Sequence, residues 1–162
     1  MNGNSSIRDW FELRGLPVTI PSEGKRAGIV EDFYYEPETN SIYALRVNVG
    51  VWGYKALTSN AIQSIQRDAI TVANDQMLIL ESHGGQLNEF PLSERLFNSE
   101  VKSESGQSLG KIQNILVATD PPVALHVAAF RLTSGKTFAA EEVTDFNGHE
   151  MFVLDKAAAR LR

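Results

Sequence analysis

The chain has 162 residues, of which 43% are hydrophobic and 22% charged, and its 15 basic and 20 acidic side chains give a net charge of −5. This composition is typical of a globular protein with a sizeable core, and it excludes the disordered and fibrous classes. The chain contains no cysteine, which excludes disulfides, iron–sulfur clusters, thiolate zinc sites and cysteine nucleophiles.

Charge and hydropathy also narrow the range of partners. The acidic balance argues against direct binding to nucleic acid or anionic lipid, because both need clustered positive charge. No apolar run approaches the roughly 20 residues that span a bilayer, and residues 1–9 lack the apolar stretch of a secretory signal. We therefore expect no membrane span, no direct contact with nucleic acid and a cytoplasmic location.

In chain order, the predicted elements are mostly short strands separated by turn residues. Helical turns are predicted over residues 7–13 and 60–65, and an alanine-rich helix over 156–162. The predicted strands are 29–36, 41–49, 54–58 and 69–73 in the first half, and 111–119, 124–133 and 136–139 in the second. Short strands in sequence order predict an all-β chain that forms a small antiparallel barrel in each half.

The two halves repeat one pattern, since residues 24–33 align on 106–115 at an offset of 82. After one deletion the offset becomes 81, and residues 70–72 then meet 151–153. Six glycines are interpreted as structural turn positions: Gly24, Gly28 and Gly53 in the first copy, and Gly106, Gly110 and Gly135 in the second. With a polar, glycine-bearing stretch between the copies, the repeat predicts domains over 1–80 and 93–162 and a linker over 81–92.

These residues resemble the PRC-barrel family. The first copy carries the pattern in residues 13–18, 24–28, 30–33, 36–40 and 62–72, and the second copy in 95–101 and 105–112, with Asn98 where glycine is usual. The resemblance implies two tandem, mostly antiparallel PRC-type β-barrels with short helical turns. Through this pattern the chain is similar to the cytoplasmic domain of the photosynthetic reaction-centre H subunit and to the C-terminal domain of RimM. In both settings the barrel holds other proteins, so the resemblance implies a protein-binding role.

One motif imitates a catalytic one. Residues 106–110 spell G-x-S-x-G, in which an active serine needs a sharp turn from a strand into a helix. Ser108 instead precedes a predicted strand, and it aligns on Arg26 while both flanking glycines persist. We interpret the segment as a hairpin and predict no catalytic residue.

Metal-ligating residues are sparse. Zinc needs three or four convergent ligands, and the spacing of His83, His126 and His149 matches no zinc motif. Glu141, Glu142 and Asp145 form an acidic cluster that suits a hard cation, although such clusters are more often a solvated face. We predict no metal and no cofactor, and a regulatory metal or ligand site is the third functional option.

The copies differ most at one hairpin. The first copy has Val49, Val51, Trp52 and Tyr54 where the offset of 82 places Arg131, Thr133, Ser134 and Lys136 in the second. If exposed, Val51, Trp52 and Tyr54 have the aromatic character of an interface anchor, so we predict that they bind a partner. The alternative is that Trp52 and Tyr54 pack under the linker or against the second copy.

The sequence therefore predicts a non-enzymatic interaction or assembly module. It would bind a protein partner, or assemble with itself into a homo-oligomer, and the resemblance suggests a relation to photosynthetic complexes. The alternative is an accessory factor in ribosome or RNA maturation that acts through protein contacts. Salt-dependent RNA binding would favour that alternative, and stabilisation by a metal would favour the third option.

Overall fold

The computed structural model describes residues 6–81 and 87–161, and these residues are mainly β, which confirms the predicted fold class. The strands are β1 (Ile7–Asp9), β2 (Pro17–Ile20), β3 (Lys25–Glu36), β4 (Ser41–Asn48), β5 (Tyr54–Thr58), β6 (Ser64–Ile65), β7 (Ile70–Thr71), β8 (Leu78–Leu80), β9 (Glu100–Ser103), β10 (Ser108–Ala118), β11 (His126–Leu132), β12 (Thr137–Ala139), β13 (Val143–Phe146) and β14 (Glu150–Val153). The α-helices are α1 (Trp10–Leu13), α2 (Ser93–Phe97) and α3 (Asp155–Leu161). Within the described ranges, no helix is long and apolar enough to cross a membrane.

Short 3-10 turns occupy several connections. They are Gly50–Trp52, Ser59–Ala61, Asp75–Met77, Leu87–Glu89, Pro122–Ala124 and Ala140–Glu142. The turn at Ser59–Ala61 replaces the longer helical turn predicted over 60–65. The opening segment, predicted as one helical turn over 7–13, is a strand followed by a helix, because β1 pairs with β10. The paired residues are 107 or more positions apart in sequence, so no local pattern could predict this pairing.

The two copies share one strand topology. In the first copy β3 pairs with β2 and β4, and β2 pairs in parallel with β7. In the second copy β10 pairs with β9 and β11, and β9 pairs in parallel with β14. The register shifts also coincide, because the irregularity between Arg26 and Gly28 recurs between Ser108 and Gly110. The repeat seen in the sequence is therefore a repeat of backbone pairing.

The predicted offset is wrong for one strand. Phe33 and Ile115 are equivalent at the offset of 82, and they pair with Leu45 and Phe130 respectively. The strands β4 and β11 therefore correspond at an offset of 85 residues rather than 82. Three extra residues before β11 cause the shift, and the longer hairpin before β5 reverses it. Leu57 and Phe138 then correspond at an offset of 81. The apolar alternation of β4 and β11 fits several registers, so sequence comparison alone could not fix the offset.

The six predicted turn glycines fall into two groups. Gly24, Gly53, Gly106 and Gly135 have positive φ and lie in connections between strands. Gly28 and Gly110 instead lie inside β3 and β10. A Cβ on Gly28 would stand 2.5 Å from a methyl carbon of Val47, so close strand approach requires glycine there. Gly110 has φ of 101°, a conformation that side chains rarely adopt.

One large hydrophobic cluster contains buried residues of both copies, and the copies exchange their opening segments. β1 pairs with β10 of the second copy, while Leu92, at the start of the second copy, bridges Tyr34 of the first. Between these exchanges, Ser41 of β4 pairs with His126 of β11. Exchanging the two copies turns the first of these contacts into the second and leaves the third in place. The boundaries at 80 and 93 stay a prediction about the repeat, and the segments on either side pack into a shared core.

A second, smaller cluster covers the outer face of the first copy. Tyr34, Ala44 and Ala56 of β3, β4 and β5 are covered by Leu87, with Phe90 and Leu92 packed alongside. Residues 87–92, predicted as part of a linker, are therefore a packed segment. The other half of that linker, 82–86 with His83, lies outside the described residues.

Candidate functional site

The hairpin between β4 and β5 carries the most exposed apolar side chains of the described residues. Gly50 and Gly53 have φ of 80° and 84°, and the side-chain oxygen of Asn48 accepts a hydrogen bond from the Gly50 amide at 2.8 Å. This tight tip leaves Val51 95% exposed and Trp52 80% exposed. The alternative, in which Trp52 and Tyr54 pack under the linker or against the second copy, does not hold for Trp52, whereas Tyr54 is half-buried.

This tip is an insertion relative to the second copy. Val47 pairs with Lys55 across seven intervening residues, whereas the Leu132 amide bonds to the Lys136 carbonyl across three. The second copy therefore has no counterpart of Val51 and Trp52, and the alignment that placed Thr133 and Ser134 there is wrong. The contrast between the hairpins is one of length as well as of residue type.

Tyr54 stands at the base of the hairpin and is held by neighbouring side chains. The guanidinium carbon of Arg46 lies 3.9 Å from the centre of the Tyr54 ring, a cation–π contact. Arg46 Nε in turn lies 3.3 Å from Glu81 Oε1. A hydrogen bond between Tyr54 and Glu31 lowers the pKa of Glu31 below its ordinary value. Tyr54 is half-buried, so it braces the hairpin while Val51 and Trp52 form its exposed tip.

The network continues inward from Glu81. The Tyr34 hydroxyl donates to Glu81 Oε2, and burial followed by the proximity of Glu81 raises the pKa of Tyr34 above its ordinary value. The tyrosine thus stays a neutral donor at physiological pH. The hairpin base is thereby connected to the segment that covers the outer face of the first copy.

A cationic depression lies beside Trp52. It measures about 260 Å³ and is lined by Lys25, Arg26, Ala27, Val49, Trp52, Lys55, Asp75 and Leu78. Lys25 is engaged by Glu23 at 3.2 Å and by Asp75 at 3.6 Å, and the hydrogen bond to Glu23 raises the pKa of Lys25. Arg26 and Lys55 form no ion pair with any described residue. We define Val51, Trp52, Arg26 and Lys55 as the hairpin surface.

A second concave surface, the acidic groove, lies where the copies meet. It measures about 460 Å³ and is lined by Glu36, Pro37, Glu38, Glu89, Phe90, Val143, Thr144, Asp145 and Phe146. Phe90 packs on Tyr43 and Phe146 on Tyr35, so the aromatic walls are held from behind. No lysine or arginine of the described residues lines the groove, and its four carboxylates make no ion pair within that part of the chain.

Sequence reasoning did not find the acidic groove. Its walls come from the end of β3, the segment before α2 and β13, which are far apart in sequence. Only Asp145 had been singled out, as part of a cation cluster with Glu141 and Glu142. The acidic residues are visible in the sequence. No local pattern shows that carboxylates from three separate segments face one cavity.

The residues considered for catalysis or metal binding do not converge. Ser108 lies in β10 and its hydroxyl donates to Glu100, so it has no histidine base. Glu142 forms an ion pair with Arg160 at 2.8 Å, so its carboxylate is engaged by a cation rather than joined with Asp145 in a metal site. In the described ranges, no three histidine, aspartate or glutamate side chains are grouped closely enough to hold a metal ion.

Comparison with known families identifies a domain in the first copy. Residues 8–78 match the model of the PRC-barrel domain, which covers β1 to the start of β8. No curated protein matches the chain significantly. The suspected family is thereby confirmed for the first copy, whose strand order the second copy repeats.

Proposed function

From the membership of residues 8–78 in the PRC-barrel domain family, we propose that this protein is a non-enzymatic interaction and assembly module whose binding element is the hairpin surface. The observation that carries the proposal is the insertion at the hairpin tip. It places an indole that is 80% exposed where the equivalent turn of the second copy has no residue at all. A requirement of the fold would act on both copies, whereas this feature is confined to one.

Physical chemistry supports a binding role for this tip. Tryptophan is enriched among the residues that dominate binding energy, because it buries a large area at a small cost in side-chain entropy. Val51 and Trp52 are exposed together, so they bury little apolar area within the chain. The bracing of Tyr54 by Arg46 and Glu31 fixes the direction of the tip before binding, which reduces the ordering cost on association.

The test is affinity capture from a lysate of the source organism. Wild type is compared with the variant Val51→Ser/Trp52→Ala, and the matched control is Val123→Ser, which removes an apolar side chain that is 61% exposed in the second copy. We expect specific proteins to be retained by wild type and by the control and lost with the tip variant. Equal retention by all three would contradict the proposal.

The identity of the captured proteins tests the finer assignments. Proteins of a photosynthetic complex would support the relation suggested by the reaction-centre H subunit. Ribosomal proteins would support the alternative, an accessory role in ribosome or RNA maturation through protein contacts. Because the chain has a net charge of −5, direct RNA binding is not part of either proposal.

A further inference from the structure

Two surfaces of this protein are opposite in shape and charge. The tip of the hairpin surface, Val51 and Trp52, is highly exposed, and Arg26 and Lys55 line the depression beside the indole without ion-pair partners among the described residues. The acidic groove is concave, and its carboxylates surround the aromatic walls formed by Phe90 and Phe146. Aromatic and cationic groups are thus presented by one surface, and aromatic and anionic groups by the other.

We propose that the hairpin surface of one molecule docks into the acidic groove of a second copy of this chain. This inference rests on the proposed function, because it names the partner of the hairpin surface. Trp52 would enter between Phe90 and Phe146, and Arg26 and Lys55 would pair with groove carboxylates such as Glu89 and Asp145. Each side then satisfies the unpaired charges of the other, which is the condition for a specific polar interface.

The geometry excludes the same contact within one molecule. The tip follows Asn48 at one end of β4, whereas the groove begins beside Glu36, which pairs with Ser41 at the other end. At about 3.3 Å per residue the two surfaces are roughly 25 Å apart along this strand. A contact between different surfaces of two copies closes as a two-fold dimer when both molecules make it with each other, and otherwise generates a ring or an open chain.

The dimensions of the groove are compatible with this occupant. Its volume of about 460 Å³ is larger than a tryptophan side chain, and it is bounded by aromatic walls on which an indole can stack. Glu89 and Asp145 are exposed at the groove, where they can reach cations on a neighbouring molecule. The buried aromatic contact would supply affinity, and the flanking charges would set orientation.

Sedimentation velocity of the full chain over a range of concentrations tests the inference. We expect the average mass to rise with concentration, and the association to weaken as salt screens the charge pairs. Trp52→Ala is expected to weaken association by about tenfold or more, the effect of truncating a central interface anchor. Arg26→Glu/Lys55→Glu and Glu89→Lys/Asp145→Lys are each expected to be monomeric, while the control Arg67→Glu/Lys111→Glu associates like wild type.

Mixing the two charge-reversed variants gives the decisive result. The groove variant keeps the wild-type hairpin surface, the hairpin variant keeps the wild-type groove, and the two changed surfaces are complementary to each other. Association is therefore expected to return in the mixture although each variant alone is monomeric. All changed residues lie on the surface, and circular dichroism checks that each variant is folded. A wild-type chain that stays monomeric at every concentration, association unaffected by Trp52→Ala, or a mixture that stays monomeric would each overturn the inference.

The inference and the proposed function can fail separately. If the tip variant loses captured proteins while wild type sediments only as a monomer, the hairpin surface binds a different protein and only the inference fails. If wild type associates with itself but the tip variant associates equally, the hairpin surface is not the interface. In that case the inference fails irrespective of the capture experiment.

Discussion

The two copies are most alike in their backbone pairing and least alike at two places, the β4–β5 hairpin and the contacts made by the opening segments. Both copies keep the register shifts, the parallel strand pair and the strand order. Only the first copy extends its hairpin to expose Val51 and Trp52. The comparison teaches that the shared features build the fold, and that the unshared ones are available for other tasks.

The exchanged opening segments differ in chemistry although they are equivalent in position. Leu116 and Tyr34 are equivalent residues of the two copies. Asp9 pairs with Leu116, and Leu92 pairs with Tyr34. The residues that follow, Trp10 at the start of α1 and Ser93 at the start of α2, therefore correspond to each other. Trp10 is 1% exposed and packs edge-on against Phe33 at 4.8 Å. At the corresponding place, Ser93 is fixed by hydrogen bonds. Trp10 is therefore buried in the core that the copies share and packs on a residue of its own copy, whereas the hydrogen bonds of Ser93 to Asp32 join the two copies.

The largest expected effect comes from truncating the buried Trp10. Trp10→Ala should lower the free energy of unfolding by about 3–5 kcal/mol, because it leaves a cavity in the shared core. Trp52→Ala, the matched control, removes the same side chain from an exposed position and should change stability by less than about 0.5 kcal/mol. Urea denaturation followed by circular dichroism measures both. A loss below about 1 kcal/mol for Trp10→Ala would contradict the assignment of Trp10 to the shared core.

Breaking the hydrogen bonds between Asp32 and Ser93 should give the next largest loss of stability. Asp32 Oδ1 accepts hydrogen bonds from the amides of Phe33 at 2.7 Å and Ser93 at 3.0 Å, and from the Ser93 hydroxyl. It therefore satisfies an amide at the start of α2 from the other copy. Asp32→Ala should cost about 2 kcal/mol, because it leaves several donors without an acceptor.

Asn114 supplies the matched control for this prediction. It occupies the position of Asp32 in the second copy, and its side chain accepts from the Ile115 amide at 2.8 Å. Asn114→Ala should cost about 1 kcal/mol, since no described residue of α1 bonds to it. The difference between the two variants in urea denaturation measures the contact between the copies, and equal losses would contradict it.

The pH dependence of stability tests the role of Asp32 further, and a smaller change in the free energy of unfolding is expected. Burial raises the pKa of Asp32 above its ordinary value, so the folded state binds more protons at this site than the unfolded state. The free energy of unfolding should then fall as the pH rises from the ordinary aspartate pKa to the raised one, and stay level above it. Asp32→Asn keeps an acceptor oxygen but does not titrate.

Urea denaturation of both proteins between pH 3 and pH 8 isolates this contribution from that of the other carboxylates. The stability of wild type minus that of Asp32→Asn should decrease as the pH rises through this interval. Glu31 and Glu142, whose pKa values are lowered in the fold, contribute with the opposite sign in both proteins and cancel in the difference. A difference that increases with pH would show that Asp32 is stabilised as a carboxylate.

The sequence predicted the strands β3, β4, β5, β7, β10, β11 and β12, the repeat and the hairpin, because each depends on local spacing and turn chemistry. The strand β1 was predicted as a helical turn, and the remaining short strands were not predicted. The exposure of Trp52 could be proposed from the inequality of the copies, although its alignment on Ser134 was wrong. The offset of β4 could not be predicted, because loop lengths changed twice and the apolar alternation fits several registers. The contact between Asp32 and Ser93 and the acidic groove depend on exchanged segments, and no local pattern encodes that exchange.

The smallest expected change in stability comes from making the two hairpins alike. Replacing residues 48–54 with the Thr-Ser-Gly of residues 133–135 removes the insertion but keeps the flanking pairs. Stability should change by less than about 1 kcal/mol, since the lost contacts of Tyr54 are offset by a shorter loop. The graft should nevertheless abolish capture of partners, and retention of capture would contradict the assignment.

The reciprocal graft asks whether the hairpin is sufficient by itself. It places residues 48–54 between Leu132 and Lys136, where the position of Arg26 is occupied by Ser108. The new tip would expose an indole with one flanking cation missing, so we expect the fold to persist and no second binding site to appear. Sedimentation and capture of the chain with two long hairpins measure this directly. Doubled binding would show that the cation at the position of Arg26 is not needed, and unchanged binding that this cation helps to select the partner.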